Sequence, residues 1–312
     1  MRVTFRGTRG SYPVAGPDTV RYGGNTSCIE VRLDDGTLII LDAGSGLVSL
    51  GASLTAPDAS DGFHRGDGDA TILLTHTHWD HIMGMPFFAP ATVAGNRFRV
   101  LGRRKECEKI SLEEVFRGQQ IKDYSDRSFD DFPATFEFHE IVEGDTFDVG
   151  SASVATARLN HPCYALGYRI TADNASVVYI TDTSPFLDVL LETEYAKSPD
   201  AVIPPVGSPK RAEMTRLHEA VIELMRGADL VIYDTFFEPE GYAQRPHWGH
   251  STPVHAIENC RDAGVKRLAL FHHAPDVTDE KVDALQEKYR AQGAAIGLDV
   301  FAAAELSTVS AS

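Results

Sequence analysis

The chain has 312 residues, of which 43% are hydrophobic and 24% are charged. This composition excludes a collagen-like, coiled-coil or largely disordered protein. With 45 acidic and 29 basic residues, the formal net charge is -16. Such a charge argues against an extended nucleic acid as the ligand, because that binding depends on neutralising phosphates with lysine and arginine. A small anionic substrate stays compatible with it wherever the local charge is positive.

The chain carries no signal for a membrane or for export. Its opening segment, MRVTFRGTRG, has no apolar run, and no stretch approaches the roughly 18 apolar residues that span a bilayer. We therefore expect a cytoplasmic protein without membrane contact. Four cysteines, Cys28, Cys107, Cys163 and Cys260, are far apart and form no CxxC pair. Neither a disulfide framework nor a thiolate zinc site is predicted.

Short strand-forming runs separated by Gly, Pro and Asp turns fill the first third of the chain. The predicted strands are VTFRG, TSCIEVRL, TLIILDAG, ATILLT and RFRVLG, with a disordered surface loop at about 52–69. Residues 103–135 are polar and show no clean period. This segment is expected to form a lid or pocket wall, with a simple surface excursion as the alternative.

The remainder of the chain changes from strands to alternating strands and helices. Strands are predicted at 136–141, 145–158, 165–171, 176–181, 229–234 and 267–272, and helices at about 209–226, 252–264 and 279–293. Strands enclosed by helices at both ends of the chain predict an α/β fold, a four-layer αββα sandwich of two sheets. No repeat or linker divides residues 1–312, so a single domain is expected.

The strongest chemical signal is His76-Thr-His78-Trp-Asp80-His81, directly after the strand ATILLT. In an extended segment His76 and His78 point the same way, because side-chain direction repeats every two residues. That geometry suits two imidazoles on one metal. Asp80 and His81 follow where the chain turns towards a predicted helix at HIMGMPFF, and they can face a second metal. A run of surface histidines is the alternative interpretation.

This HxHxDH pattern resembles the metallo-β-lactamase superfamily. The resemblance implies three more ligands, which are His161 in NHP, Asp182 in YITDTS and His272 in LALFHHAP, with His273 as the competitor of His272. One metal would then bind His76, His78 and His161. The second would bind Asp80, His81 and His272, with Asp182 and a hydroxide bridging the two.

The ligand types limit the metal and the substrate. Imidazole and carboxylate without thiolate suit zinc, with manganese and iron as alternatives. Two divalent ions with Asp80, Asp182 and a hydroxide leave a local charge of about +1. Such a site favours a monoanionic phosphodiester over a neutral β-lactam or lactone.

A second motif, Gly249-His250-Ser251-Thr252, resembles the ribonuclease Z and phosphodiesterase branch of the superfamily. In that branch the histidine approaches the scissile phosphate and an acidic residue supports it. Asp234 in LVIYDTFF stands where the branch more often has Glu. A surface histidine at a helix start is the alternative for His250, and an ordinary N-cap is the alternative for Ser251 and Thr252.

Weaker features complete the pattern. Asp42 in TLIILDAG resembles the aspartate that braces the metal-binding loop in this superfamily. Gly24, Asn25 and Thr26 lie on a loop that borders the active site in relatives, or they are turn residues. Trp79 and Phe87 are predicted to pack rather than to stack on a substrate.

These features predict a dinuclear metal-dependent hydrolase of phosphodiesters, in which Asp80, His250 and Asp234 are catalytic. Transfer RNA processing is not expected. Ribonuclease Z has a tRNA-clamping insertion between its third histidine and bridging aspartate, whereas only 20 residues separate His161 from Asp182. A small cyclic phosphate or cyclic nucleotide is the expected substrate. The alternatives are hydrolysis of a lactone, thioester or β-lactam, and a non-hydrolytic iron redox protein. The resemblance also implies a homodimer, by analogy alone.

Overall fold

The computed structural model describes residues 1–103, 110–123, 125–192 and 196–311. The strands in chain order are β1 (Arg2–Gly7), β2 (Cys28–Arg32), β3 (Leu38–Leu41), β4 (Asp69–Leu73), β5 (Arg97–Arg103), β6 (Thr135–Ile141), β7 (Thr146–Val149), β8 (Ala152–Leu159), β9 (Ala165–Ala172), β10 (Ala175–Ile180), β11 (Leu230–Asp234), β12 (Arg267–Phe271), β13 (Asp299–Ala302) and β14 (Thr308–Ser310). The α-helices are α1 (Gly46–Leu54), α2 (Trp79–Ile82), α3 (Leu112–Gln119), α4 (Pro209–Met225), α5 (Pro239–Gln244), α6 (Pro253–Ala263) and α7 (Asp279–Ala294).

The described strands form two seven-stranded sheets. The first has the order β14-β1-β2-β3-β4-β5-β6, and the second has the order β13-β12-β11-β10-β9-β8-β7. In the first sheet the strands from β3 to β6 run parallel. In the second sheet the strands from β10 to β13 do so. Parallel strands end at the same edge of a sheet, so each sheet gathers several strand ends at one place.

The layers follow from which face of each strand is apolar. Val3, Phe5 and Ile29 from the first sheet pack against Tyr168 and Val177 of the second, forming a core between the sheets. The outer face of the first sheet is covered by apolar side chains of α1 and α3, and that of the second by α4 and α6. The predicted four-layer αββα fold is confirmed.

The two ends of the described chain meet in one sheet. Arg2 in β1 pairs with Ser310 in β14, and Thr4 pairs with Thr308. The sequence analysis predicted neither β13 nor β14, because both are short and half exposed.

Three local predictions were wrong. The strand predicted at 145–158 is a hairpin of β7 and β8, because Gly150 adopts a φ of 58° and turns the chain. The helix predicted at HIMGMPFF ends after Ile82, and the chain continues as 3-10 turns through a segment that contains Gly84 and Pro86. The segment 52–69 is ordered, since α1 extends into it and Phe63 is buried.

The segment 103–135 has more structure than its polar sequence indicated. Its described part contains α3, which begins with a capping box of Ser111 and Glu114. Phe116 of this helix packs with Phe129 in an aromatic cluster on the first sheet. Residues 104–109 and 124 of the segment lie outside the described residues. The described part therefore contributes to the core of the fold.

The expectations about membrane spans and disulfides can be compared with the described residues only. Among the described residues, none of the helices has the length and apolar character needed to cross a membrane. No disulfide joins Cys28, Cys163 and Cys260 within the described part of the chain. Cys107 lies outside it.

Candidate metal centre

Several of the sequence-predicted site residues lie just beyond the ends of strands, whereas Asp80 and His81 lie in α2 and His250 precedes α6. His76 follows β4, His161 follows β8, Asp182 follows β10 and His272 follows β12. Asp234 is the last residue of β11, which lies between β10 and β12. The neighbouring parallel strands β10, β11 and β12 end at one edge of the second sheet, which places Asp182, Asp234 and His272 together. His161 follows β8 of the same sheet and His76 follows β4 of the first sheet, so the two sheets meet at this site.

The backbone is unusual at three of these strand ends. Asp42, Asp182 and His272 have φ values of 60°, 58° and 63°. Residues other than glycine seldom adopt this left-handed conformation, and it is concentrated at functional sites. Each of these turns directs a polar side chain into the space between the sheet edges instead of continuing the strand.

His76, His78 and His161 form the first cluster. Nε2 of His161 lies 3.0 Å from Nδ1 of His78, and the His76 and His78 rings are 4.4 Å apart. Nδ1 of His161 donates to the carbonyl of Gly249 at 2.9 Å, which leaves Nε2 to face the cluster. Burial lowers the pKa of His161 to about 3 and also lowers that of His76. Both imidazoles are therefore neutral, the form that binds metals.

Asp80, His81, Asp182 and His272 form the second cluster. Nε2 of His81 lies 3.3 Å from Oδ2 of Asp80 and 3.0 Å from Oδ2 of Asp182. Nε2 of His272 lies 3.4 Å from the same oxygen of Asp182. Asp182 also approaches the first cluster, since its Oδ1 is 3.7 Å from Nε2 of His161. It is the residue placed to serve both clusters.

The arrangement fits divalent cations. Nε2 of His76, of His81 and of His272 is buried without a hydrogen bond within the described chain. A buried nitrogen without a partner is costly, and a metal ion resolves that cost. His76, His78 and His161 each offer one ligand atom, and these three atoms lie within 4.8 Å of one another. The same is true of Asp80, His81 and His272.

The electrostatics of the second cluster also favour a cation. Although burial opposes it, the charges of Asp80, Asp182 and Asp42 raise the pKa of His81 well above its ordinary value. The pKa of Asp80 is held below its ordinary value against its own burial, mainly by the charge of His81. Buried carboxylates thus draw positive charge to this position.

The structure distinguishes His272 from His273. Nδ1 of His272 contacts the hydroxyls of Ser27 and Thr181 at 3.1 and 3.2 Å, so its Nε2 faces the cluster. His273 points the other way, and its Nε2 donates to the carbonyl of Ala303 at 2.9 Å. Of the two neighbours, only His272 faces the candidate ligands.

His250 lies next to the clusters and contacts Asp234. Nδ1 of His250 donates to Oδ2 of Asp234 at 3.0 Å and lies 3.7 Å from Oδ1 of Asp182. The ring of Phe236 stacks on His250 with centroids 4.4 Å apart. Burial acts to lower the pKa of His250, but the charge and hydrogen bond of Asp234 outweigh it and raise that pKa. His250 is buried, not a surface residue, whereas Thr252 is the N-cap of α6.

Other predicted residues have supporting positions. Asp42 accepts a hydrogen bond from Nδ1 of His81 at 2.8 Å. Asn25 contacts Glu305, and Thr26 accepts from the amide of Ser45. A Cβ on Gly24 would meet the carbonyl oxygen of Val14. These three loop residues therefore hold the loop in place.

Two aromatic residues depart from the prediction. Trp79 and Phe87 are 56% and 68% exposed. They do not pack into the core, since Trp79 begins the single turn of α2 and Phe87 ends the 3-10 turn that follows it, both facing solvent.

Sequence reasoning missed several contacts. The amide of Ser11 donates to Oδ2 of Asp80 at 2.9 Å. The hydroxyl of Tyr179 donates to Oδ2 of Asp42 at 2.9 Å. Phe236 beside His250 was also unforeseen. Thr181 could have been suspected from its place next to Asp182, whereas nothing in the sequence around Ser11 indicates a role.

A family model for the beta-lactamase superfamily domain matches residues 37–219. The chain belongs to this superfamily. The ribonuclease Z of Acaryochloris marina is 28% identical over 308 residues, covering 92% of this chain and 90% of that protein. The ribonuclease Z of Methanothermobacter thermautotrophicus is 26% identical over 292 residues, covering 87% and 86%.

Solved structures agree on the fold. The metallo-β-lactamase fold protein YhfI from Bacillus subtilis has a TM-score of 0.65 at 18% identity, covering 99% of this chain and 98% of its own. The short form of human tRNase Z has a TM-score of 0.61 at 18% identity, covering 100% of both chains.

The family membership confirms two predictions at the level of class. This chain of the metallo-β-lactamase superfamily is a hydrolase. The fold also implies binding of divalent metal, for which the His and Asp clusters supply the donors.

Proposed function

We propose that this protein is a dinuclear metal hydrolase that cleaves a phosphodiester. In this proposal His76, His78 and His161 hold one ion, and Asp80, His81 and His272 hold the second. Asp182 would serve both ions, since Oδ1 lies 3.7 Å from Nε2 of His161 and Oδ2 lies 3.0 Å from Nε2 of His81. Zinc is the proposed metal, because imidazole and carboxylate donors without thiolate suit it.

The observation that carries the proposal is the pair of His250 and Asp234. Nδ1 of His250 lies 3.7 Å from Oδ1 of Asp182 and donates to Asp234 at 3.0 Å. His250 also belongs to a candidate ligand set with Asp182 and His272, but we propose that its contact with Asp234 keeps it for the substrate. With Nδ1 engaged by Asp234, Nε2 is the nitrogen left for a substrate. Hydrolysis of a lactone or β-lactam does not require a cationic imidazole at the position of His250. A phosphodiester gains from one, since negative charge develops on both the phosphoryl and the leaving oxygens.

The roles divide between the bound ions and the protein. Divalent ions in these clusters supply an acidified water and a positive field for the phosphate. His250, in its protonated form, donates its Nε2 proton to the leaving alcohol. Asp234 keeps the ring oriented and stabilises its charge. Asp42 accepts a hydrogen bond from Nδ1 of His81, and the carbonyl of Gly249 accepts one from Nδ1 of His161. These bonds fix the orientation of the two ligand rings.

We propose a small substrate, such as a cyclic nucleotide or another cyclic phosphate. Residues between His161 and Asp182 form only the hairpin of β9 and β10, which turns through Asp173 and Asn174. This leaves no room for an insertion that clamps a large RNA. The net charge of -16 supports the same choice.

Cleavage of RNA is a second candidate, and one observation favours it. The relatives named ribonuclease Z align over most of their own length, 90% in one case. An RNA contains the same class of bond, a phosphodiester, near its 3′ end. A short single-stranded RNA is therefore the competing substrate to include in every assay.

We also propose that residues 1–312 act as one hydrolase domain, with 103–135 forming part of the pocket wall. The pairing of β1 with β14 supports the single domain. The contact of Gln119 with the carbonyl of Ile82 at 3.0 Å supports the wall, because Ile82 ends the helix that carries Asp80 and His81.

The deciding experiment is the His250→Ala variant, assayed after zinc reconstitution on a phosphodiester with an alkyl leaving group. We expect both ions to be retained and the rate to fall by about 10²–10⁴-fold, the scale of acid–base assistance. The loss should shrink for a nitrophenyl ester, whose leaving group needs little protonation. His218→Ala on α4, outside the clusters, is the matched control.

Two results would contradict the proposal. One is a wild-type rate for His250→Ala on the alkyl ester. The other is turnover of lactones or β-lactams, but of no phosphodiester, by metal-loaded protein. A visible absorption band from bound iron without any hydrolysis would instead favour the redox alternative.

A further inference from the structure

A cavity of about 890 Å³ lies beside the metal centre. Its walls come from three separate parts of the chain, at 11–12, 235–248 and 273–285. Clefts of roughly 300–1,000 Å³ are typical of sites for small organic ligands. A simple cyclic ribose phosphate would fill only a small part of this space.

Two wall residues connect the cavity directly to the proposed chemistry. Ser11 lines it and donates its amide hydrogen to Oδ2 of Asp80 at 2.9 Å. Phe236 also lines it and stacks on His250 with an interplanar angle of 16°. A substrate whose phosphate lies at the metal centre would therefore extend directly into the cavity.

The cavity wall is rich in aromatic rings. Tyr12, Phe236, Phe237 and Trp248 all line it. Tyr12 is 59% exposed and Trp248 is 48% exposed, so much of their ring surface is left uncovered by the protein. Large aromatic surface that a folded chain leaves exposed inside a cleft marks a place where a ligand binds.

The charges of the wall are mixed, because Arg245 lines the cavity together with Lys281 and several carboxylates. Lys281 is paired with Glu238 at 2.5 Å, which removes it as a free cation. Glu240 and Asp276 add negative charge to the lining. The guanidinium of Arg245 lies 5.1 Å from the centroid of the Trp248 ring. The cavity therefore suits a flat ring whose polar edge can meet both carboxylates and a guanidinium.

We propose that this cavity binds a planar aromatic or heteroaromatic group of the substrate against Tyr12 and Trp248, next to the metal centre. The inference rests on the proposed function and narrows it. The substrate is a phosphodiester that carries a flat ring, such as a nucleoside ester, and not a cyclic ribose phosphate.

Two diesters with the same leaving group test this preference. They are thymidine 5′-(4-nitrophenyl phosphate) and methyl 4-nitrophenyl phosphate. We expect zinc-loaded protein to favour the nucleoside ester in kcat/KM by about 5- to 100-fold, the scale of stacking one base on an aromatic ring. Trp248→Ala should reduce that ratio towards one while leaving the methyl ester unaffected. Phe87→Ala, which removes an exposed aromatic ring that does not line this cavity, should keep the ratio.

A binding measurement separates this inference from the proposed function. In a Trp79→Phe background Trp248 is the remaining tryptophan, because the chain has 2. Thymidine 5′-monophosphate should quench its fluorescence, and inorganic phosphate should not. Tyr12→Ala should weaken the nucleotide affinity by a similar 5- to 100-fold.

The outcomes are distinct. Equal kcat/KM for the two diesters, or an equal loss on both in Trp248→Ala, overturns the inference while the proposed function stands. If neither of these diesters nor a cyclic phosphate is hydrolysed, the proposed function fails. In that case the fluorescence measurement with thymidine 5′-monophosphate tests the inference by itself. Equal quenching of Trp248 by the nucleotide and by inorganic phosphate would overturn the inference.

Discussion

Nδ1 of the buried His81 lies 2.8 Å from Oδ2 of the buried Asp42, at the junction between the two sheets. Since a carboxylate only accepts, the Nδ1 hydrogen of His81 must point to Asp42, and Nε2 faces the carboxylates of the metal centre. Asp42 is itself held by the amide of Thr75 at 2.8 Å and by the hydroxyl of Tyr179. Asp42, which directly follows β3 and lies outside the metal motif, thus sets the tautomer and orientation of His81.

Replacing Asp42 by Asn should weaken the second metal site by about 10- to 100-fold, the usual effect of removing such a partner. Asn keeps the size of the side chain and tolerates the positive φ of this position. Competition with a zinc-binding dye measures the affinity. Tyr179→Phe, which removes one hydrogen bond to the same oxygen, should have a smaller effect. An unchanged affinity in Asp42→Asn would mean that His81 does not depend on Asp42.

Gly10→Ala should disturb the second metal site because of a steric clash. A Cβ at this position would lie 2.5 Å from Cδ2 and 2.6 Å from Nε2 of His272. We expect the variant to fold and to lose one of two ions in elemental analysis. Gly16→Ala is the matched control in the same loop, since a Cβ there meets nothing within 4 Å. Equal metal contents in the two variants would show that His272 is not held in this position.

His272→Ala and His273→Ala should have different effects although the residues are neighbours. The first removes a proposed ligand, so one ion should be lost. The second removes a hydrogen bond to Ala303, so the metal content should be retained and the free energy of unfolding should fall by about 1 kcal/mol. Elemental analysis and urea unfolding of both variants make the comparison. Loss of metal in His273→Ala alone would reverse the assignment.

Removal of metal should lower the thermal stability. Buried carboxylates and unpartnered imidazole nitrogens favour the folded state only when a cation neutralises and ligates them. We expect a chelator to lower Tm and added zinc to restore it, because binding to the native state stabilises it. In Asp80→Ala, which keeps the set His76, His78 and His161, about half of this shift should persist. A Tm that does not respond to chelator or zinc would argue against a structural contribution of the metals.

The pocket wall proposed for 103–135 is tested better by a point variant than by a deletion, because Leu112 and Phe116 are buried in the core. Gln119→Ala removes the hydrogen bond to the carbonyl of Ile82. We expect it to change relative kcat/KM across a panel of phosphodiesters while the metal content stays constant. Identical relative rates would indicate that the segment supports the fold without shaping the pocket.

The sequence by itself determined the fold class and most of the candidate cluster. His76, His78, Asp80 and His81 lie within six residues, so their relation depends on local geometry that a spacing pattern encodes. His161, Asp182 and His272 were predicted from the resemblance to the metallo-β-lactamase superfamily, and their positions after predicted strands agreed with it. The alternation of strands and helices was likewise sufficient for the αββα architecture.

The tertiary structure alone decided which further residues surround that cluster. Ser11 meets Asp80 across 69 positions of the chain, and Asp42 meets Tyr179 across 137. Such contacts depend on how the two sheets pack together, and no local pattern encodes that packing. The same holds for the aromatic cavity, whose walls come from three distant segments. Local periodicity specifies strands and helices, whereas the shape between them arises only when long-range contacts close the fold.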